Sequence, residues 1–437
     1  MSAMLLRFCV SLVLLIVAHV ALSSEITLPE AYERAVDNDT RLQIARHQKN
    51  AIDARADQAT ALMYPSLRLF SQYSKNQVEY QSVNIEDRRY DGLRYGAAIS
   101  QRVFDYSALS QIRGAGARSD GAELTLKDET QLLAVRLAEA YFNVLSAQGQ
   151  FRALTDELTA LEEQVEQTNA LADRQLLSIT ERLEVSARRD LVETQQIDAE
   201  NGLALAEEVL FAFIGERDLV PMGLAQEFVP FEIRDPLEPM LAQVMADNPR
   251  IRALEADLEA ARSTIDQAWG SVLPKIDLVA TRQYSDVGFD NTTSPPRDTG
   301  YVGLNVNWTL VEGGAARARA REAWANFYSV EEQLKQARQE IDRELRSAVL
   351  ELAASGKRVR ATQRALESAQ ASFEAATRAQ KLGVGRVVDV LISRSALTRA
   401  KVGITEATVD NALAWIRLAY VKGELDGTTL DTVQARL

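Results

Sequence analysis

A catalyst of this size would declare itself through a nucleophile beside a base, a set of metal ligands or a loop that cradles phosphate. The 437 residues hold two histidines and one cysteine. His47 lies among Arg46 and Lys49 in a helical pattern, where a solvated surface position is the natural reading. Gly383-Val384-Gly385 lacks the third glycine of a dinucleotide fingerprint and follows a helical pattern where that motif follows a strand. Glu162-Glu163 flanks a heptad seam and reads as ordinary solvated charge. Asp389 opens a helical pattern six residues after Gly383, and taken alone it is a first-turn carboxylate favoured by unpaired amides. No constellation for catalysis, metal or cofactor binding emerges, so the chain does not read as an enzyme.

His19 and Cys9 belong to the N-terminal segment. There Arg7 precedes an apolar run from Phe8 to Ala18, and Ala21-Leu22-Ser23 supplies small residues where a signal peptidase cuts. A cleaved signal peptide over 1–23 is expected. The alternative, a signal anchor, needs roughly 20 apolar residues and the run is about half that. After cleavage near Ser23 no thiol remains, which excludes disulfides and thiolate metal sites. The formal net charge of −13 argues against nucleic acid as a partner.

The elements that must carry any function are written twice. Arg41-Leu42 matches Arg250-Ile251 at an offset of 209, and the same offset sets Asp57-Gln58-Ala59 on Asp266-Gln267-Ala268 and Pro65 on Pro274. Further along, Val103-Phe104-Asp105 faces Leu310-Val311-Glu312, and Leu183-Glu184-Val185 faces Val388-Asp389-Val390. The expected organisation is a first repeat over 24–220, a proline-rich linker or equatorial segment over 221–239, a second repeat over 240–425 and a C-terminal tail over 426–437.

Each repeat has one order of elements. An amphipathic helix over Leu28 to Leu62 stops at Tyr64-Pro65. Period-two patterns at Ser66 to Tyr73 and Leu93 to Phe104 predict a strand pair, repeated at Lys275 to Tyr284 and Tyr301 to Leu310 around a loop with Asn291-Thr292-Thr293-Ser294-Pro295-Pro296. Steps of three and four from Leu126 through Leu137, Leu154 and Leu161 to Ala172 meet almost only apolar or small residues, as do those from Ile341 to Ala376. That heptad predicts helices packed lengthwise, the first running from about Ser110 to Arg174, roughly 100 Å at 1.5 Å per residue. Breaks near Leu177-Ser178 and Gly383-Val384-Gly385 lead to second helices, Glu184 to Ile214 and Asp389 to Tyr420. The fold class is mainly α with a small β part, built on long antiparallel helical hairpins.

Four strands cannot close a membrane barrel, because every backbone polar group in lipid must be paired. Either several chains share one barrel, or the strands form a small soluble sheet capping a coiled coil. Tyr64, Tyr73, Tyr95, Tyr301 and Trp308 near the strand ends suit an interfacial belt or a soluble core equally.

Leu28-Pro29-Glu30-Ala31, Met63-Tyr64-Pro65-Ser66-Leu67, Leu273-Pro274, Gln101-Arg102-Val103-Phe104-Asp105, Val311-Glu312-Gly313-Gly314 and Gly383 with Val388-Asp389-Val390-Leu391 span nearly the whole chain in order. In this ordered set the sequence resembles the TolC family of outer-membrane efflux and secretion channels. The resemblance implies a homotrimer with a shared 12-stranded barrel in outer-membrane lipid and a 12-helix α-barrel in the periplasm of a Gram-negative cell. It also implies a periplasmic adaptor and an inner-membrane transporter as partners, in a tripartite efflux pump or a type I secretion system. The family's entrance is lined by an acidic residue six positions after a glycine, a role that falls on Asp389 and, in the first repeat, on Glu184. Gly383 and Gly385 become the hinge. Where well-studied members have a second aspartate this chain has Ile392, and their closing tyrosine and arginine fall on Gln380 and Gly385, with Arg386 adjacent as a substitute. The competing class is a soluble periplasmic coiled-coil adaptor or stalk protein.

Overall fold

The computed structural model describes residues 24–79, 88–174, 178–217, 219–223, 228–233, 235–287 and 293–437. The leader with Cys9 and His19, Leu177 of the first break, and Asn291-Thr292 lie outside the described residues.

Strand β1 (Ser24–Ile26) precedes α1 (Leu28–Asn38), α2 (Thr40–Ala61), β2 (Ser66–Val78), β3 (Arg88–Phe104), α3 (Tyr106–Asp173) and α4 (Ile179–Ile214). Strand β4 (Leu219–Pro221) follows, then α5 (Leu237–Asp247), α6 (Pro249–Gly270), β5 (Lys275–Val287), β6 (Thr293–Asn307), α7 (Ala315–Lys381), α8 (Val387–Lys422) and α9 (Gly427–Gln434). The helices recur in matching lengths, 11, 22, 68 and 36 residues against 11, 22, 67 and 36, as a duplicated chain requires.

Two local expectations are corrected. The first helix is two helices, because at Asp39 the backbone turns extended (ψ 116°) and the Asp39 carboxylate accepts the Leu42 amide at 2.7 Å, recapping the chain. Pro295-Pro296, read as loop, lies within β6 beside a register shift between Ser285 and Val287. The register passes from Ser285 opposite Arg297 to Val287 opposite Thr293, so Pro295 and Pro296 sit in an irregular stretch of the β5 ladder where a missing amide proton breaks no regular bond.

The chain divides into two compact units. One comprises Arg46–Leu126 and Pro249–Arg338. Its sheet runs β2-β3-β5-β6, all antiparallel. One face carries Leu67, Leu69, Ile99, Leu278, Val302 and Leu304, all exposed; the other carries Arg68, Gln72, Ser100, Thr281 and Asn305. An exposed apolar face of this extent is built for lipid. Below the sheet, Asp105 is buried, accepts the Ala108 amide at 3.2 Å and sits 3.4 Å from Arg102 and 3.6 Å from Lys275, joining β3, β5 and the start of α3. There the helices meet closely, since a Cβ on Gly270 would lie 2.6 Å from the Ser107 nitrogen.

The other unit comprises residues up to Ala45, Lys127–Asn248 and Gln339–Leu437. The heptad stops lie on its buried seam: Leu133, Leu137, Val144, Leu154 and Leu161 in α3, Ile341, Leu345, Leu352 and Val359 in α7. β1 and β4 pair in parallel, and the buried Tyr141 hydroxyl donates to the Ile26 carbonyl of β1 at 2.9 Å and accepts the amide of Met222, the residue after β4, at 3.1 Å. Asn411 of α8, fully buried, accepts the Phe231 amide at 2.7 Å and donates to Ser355 of α7 at 3.0 Å.

Candidate entrance at the helical turns

The end of α7 is shaped by glycine. Gly383 adopts φ +75°, a left-handed conformation that side chains resist, and its amide reaches the Gln380 carbonyl at 2.9 Å. The Val384 and Gly385 amides both reach the Ala379 carbonyl, at 3.1 and 3.0 Å. A Cβ on Gly385 would stand 2.8 Å from the Gln380 nitrogen, so this position too accepts little but glycine. The turn can therefore close only on these two glycines.

α8 then starts at the N-cap Arg386, whose side chain makes no cap bond. Its first turn depends on Asp389, whose carboxylate lies 3.8 Å from the Arg386 guanidinium with 55% of the side chain exposed. Ile392, one turn further, is 61% exposed, and Val384 at the tip is 81% exposed. Isolated apolar side chains are common at surfaces, but Leu382, Val384 and Ile392 are all exposed within about ten residues around the α7–α8 turn that carries Asp389. The opposite face is packed: Val387 and Leu391 bury against Leu154 and Leu161 of α3 and Val185 and Val192 of α4.

The first repeat turns differently. Ser178 caps α4, accepting the Thr180 amide at 3.1 Å, while Glu181 reaches back to the Ser178 amide at 3.3 Å. Glu184 stands exposed in the second turn beside exposed Leu183. Arg386 and Asp389 are thus brought together, Gly383 and Gly385 are brought under them, and Glu184 belongs to the other hairpin. His47 is exposed on α2.

Sequence reasoning missed a polar tie behind this surface. Arg188 of α4 donates to Glu157 of α3 at 2.6 Å and to Ser395 of α8 at 2.8 Å, and the Glu157 side chain is only 2% exposed. Next to it the Arg394 guanidinium lies 5.1 Å from the Phe373 ring centre. Burial pushes Arg394 below its ordinary range, while Glu157 and Glu163 pull the other way. A heptad walk steps from Leu154 to Leu158 over Glu157, so only the identity of its partner could have flagged it.

The model of the family described as "Outer membrane efflux protein" matches this chain twice, over residues 31–216 and 240–424. The chain belongs to the outer membrane efflux protein family. Alkaline protease secretion protein AprF of Pseudomonas aeruginosa is 27% identical over 93% of this chain and 86% of its own length. Outer membrane protein TolC of Vibrio cholerae is 25% identical over 94% and 93%. Among solved structures, the outer-membrane channel OprN superposes with a TM-score of 0.79 at 18% identity, covering 91% of this chain and 90% of that one. The outer membrane protein VceC of Vibrio cholerae gives 0.76 at 19%, covering 91% and 96%.

For an outer membrane efflux protein the open sheet has one reading. Among the described residues no helix is long and apolar enough to cross a membrane; the strands carry the lipid-facing surface. β2 and β6 leave two edges, and because the four strands alternate in direction, β6 of one copy meets β2 of the next antiparallel. Three copies close a 12-stranded barrel, and the chain is a protomer of a trimeric outer-membrane exit channel working with transport machinery. The soluble-adaptor alternative is not favoured.

Proposed function

We propose that the α7–α8 turns of three copies form the entrance of this channel, with Asp389 as its charged ring, Ile392 as an apolar collar and Gly383 and Gly385 as the hinge. The observation that carries this is the exposure of Asp389 together with Val384 and Ile392 on a turn whose other face is fully packed. Three carboxylates around one axis concentrate a negative field that draws cations and repels anions. Arg386, 3.8 Å away, moderates that field, and Glu184 would add to it from the first repeat. The channel has no energy source of its own in this reading: an inner-membrane transporter supplies it and a periplasmic adaptor joins the two. AprF and, at 26% identity, the proteases secretion protein PrtF of Dickeya chrysanthemi are named for protease secretion, which favours protein cargo and a type I secretion system over a tripartite drug or metal pump.

In planar bilayers Asp389→Asn should lower cation over anion permeability and weaken block by a trivalent cation added on the periplasmic side. Unchanged selectivity and block would remove Asp389 from the entrance. Copurification of an adaptor and a transporter from solubilised membranes tests the machine; a channel that always purifies alone would contradict it.

A further inference from the structure

The duplication fixes a contact that a single chain leaves unmade. The ends of the two hairpins match at an offset of 208: α3 and α7 end at Asp173 and Lys381, and α4 and α8 begin at Ile179 and Val387. α4 and α8 also stop on left-handed glycines, Gly215 (φ +83°) and Gly423 (φ +75°). This offset sets Leu183 on Leu391 rather than on Val388. Within the chain, α3 of the first repeat lies antiparallel to α8 of the second in one register. The Gln131 amide donates to the Gly423 carbonyl at 2.8 Å, Arg417 donates to Glu139 at 2.9 Å, and Lys401 stands 3.4 Å from Asp156.

Exchanging the repeats turns that contact into α7 against α4. Gln131 becomes Gln339 and Gly423 becomes Gly215, so both partners of the first bond are kept. The Lys401–Asp156 pair becomes Glu193–Arg364, complementary still but with the signs reversed. Neither contact forms in the single chain. Gln339 and Arg364 are exposed with no side-chain partner among the described residues, and Glu193 meets only Arg189 of its own helix, at 3.6 Å. Leu391 and Phe142 are buried, whereas their counterparts Leu183 and Leu350 are 59% and 70% exposed. The sheet obeys the same exchange: β3 pairs β5 within the chain, and β6 meets β2 of the next copy around the trimer. We propose that α4 of one copy lies antiparallel along α7 of the next, the Gln339 amide donating to the Gly215 carbonyl and Arg364 facing Glu193. Leu183, Ile197, Leu205 and Leu350, all exposed in the single chain, close the seam between these points. The occupant of both exposed faces is thus a second copy of this chain. The seam requires the trimer but not the acidic entrance.

Cross-linking of the full chain in detergent tests the seam. In a Cys9→Ser background, Arg364→Cys with Glu193→Cys, sized as a trimer and treated with a short bismaleimide, should give bands of two and three chains on a denaturing gel. Asp156→Cys with Lys401→Cys, the same contact inside one chain, should be linked yet stay at the size of one chain. Arg364→Cys with Leu205→Cys, about three turns out of register, should link at least tenfold less than the first pair. Ile197→Cys with Lys357→Cys gives a second in-register pair with the same expectation. Its counterpart inside the chain is Thr405 with Gly149, where a Cβ on Gly149 would lie 3.3 Å from the Thr405 Cβ. Single-chain products alone from both in-register pairs, or equal linking by the out-of-register pair, overturn the proposal. Parent protein that sediments as single chains would overturn it through the trimer itself. Gln339→Ala should lower the temperature at which the trimer dissociates, and an unchanged temperature would remove the Gln339–Gly215 bond from the seam.

Discussion

At the residue scale the informative carboxylates are those that cannot be removed without leaving something behind. Glu157 is buried and its partner Arg188 also holds Ser395, so the pair ties α8 to the α3–α4 hairpin. Arg188→Ala would strand a buried charge, and loss of one partner in such pairs costs about 3–5 kcal/mol. A fall in thermal midpoint in detergent, partly rescued by adding Glu157→Gln, is the expected result; an unchanged midpoint would mean that water already satisfies Glu157. A milder case is Asp426, the N-cap of α9, held below its ordinary value near 3.8 by the Thr428 hydroxyl and the Thr429 amide. Its folded-state pKa is depressed, so its contribution is present above the unfolded pKa and lost as pH falls through the lower folded one. The docking of α9, where Gln434 accepts the Leu28 amide at 2.9 Å, should loosen below about pH 4. Hydrogen exchange of 427–434 against pH reads this, and Asp426→Asn should flatten the response.

At the element scale the long helices obey their seam. Leu161 of α3 is fully buried among Leu154, Val185 and Val192, so Leu161→Asp should cost several kcal/mol through an unpaired charge, seen as loss of heat-resistant trimer. Gly383→Val tests the hinge: at φ +75° a β-branched residue is strained by about 1–2 kcal/mol, and protease nicking near 383 should rise while the α3–α4 turn stays intact. Much of this was legible. The heptad, the duplicated strand pairs and the glycine break are periodic or compositional signals that one sequence carries in full. What was not legible is whatever depends on a partner remote in sequence. The split at Asp39 rests on a side chain turning back to the Leu42 amide, the strand at Pro295-Pro296 on a register shift against β5, and the Arg188 tie on three helices meeting. Asp389 is legible through resemblance, and the exposure of Leu382, Val384 and Ile392 along the same turn only through the structure.

At the scale of the whole molecule, the sheet face decides whether the chain is a channel protomer, and the two faces can be tested against each other. Leu304 and Asn305 are neighbours in β6, both exposed in the single chain, and differ only in which side of the pleat they take. If the Leu304 side meets hydrocarbon, Leu304→Lys places a charge in lipid at a cost of about 2–4 kcal/mol near the midplane, repeated in every subunit of the trimer. Asn305→Lys places the same charge in the water-filled interior and should cost almost nothing. Heat-resistant trimer on gels should therefore vanish or melt well below the parent for Leu304→Lys and persist for Asn305→Lys. Equal stability of the two would mean that neither face touches lipid, and with that the sheet would lose its reason to recruit two further copies.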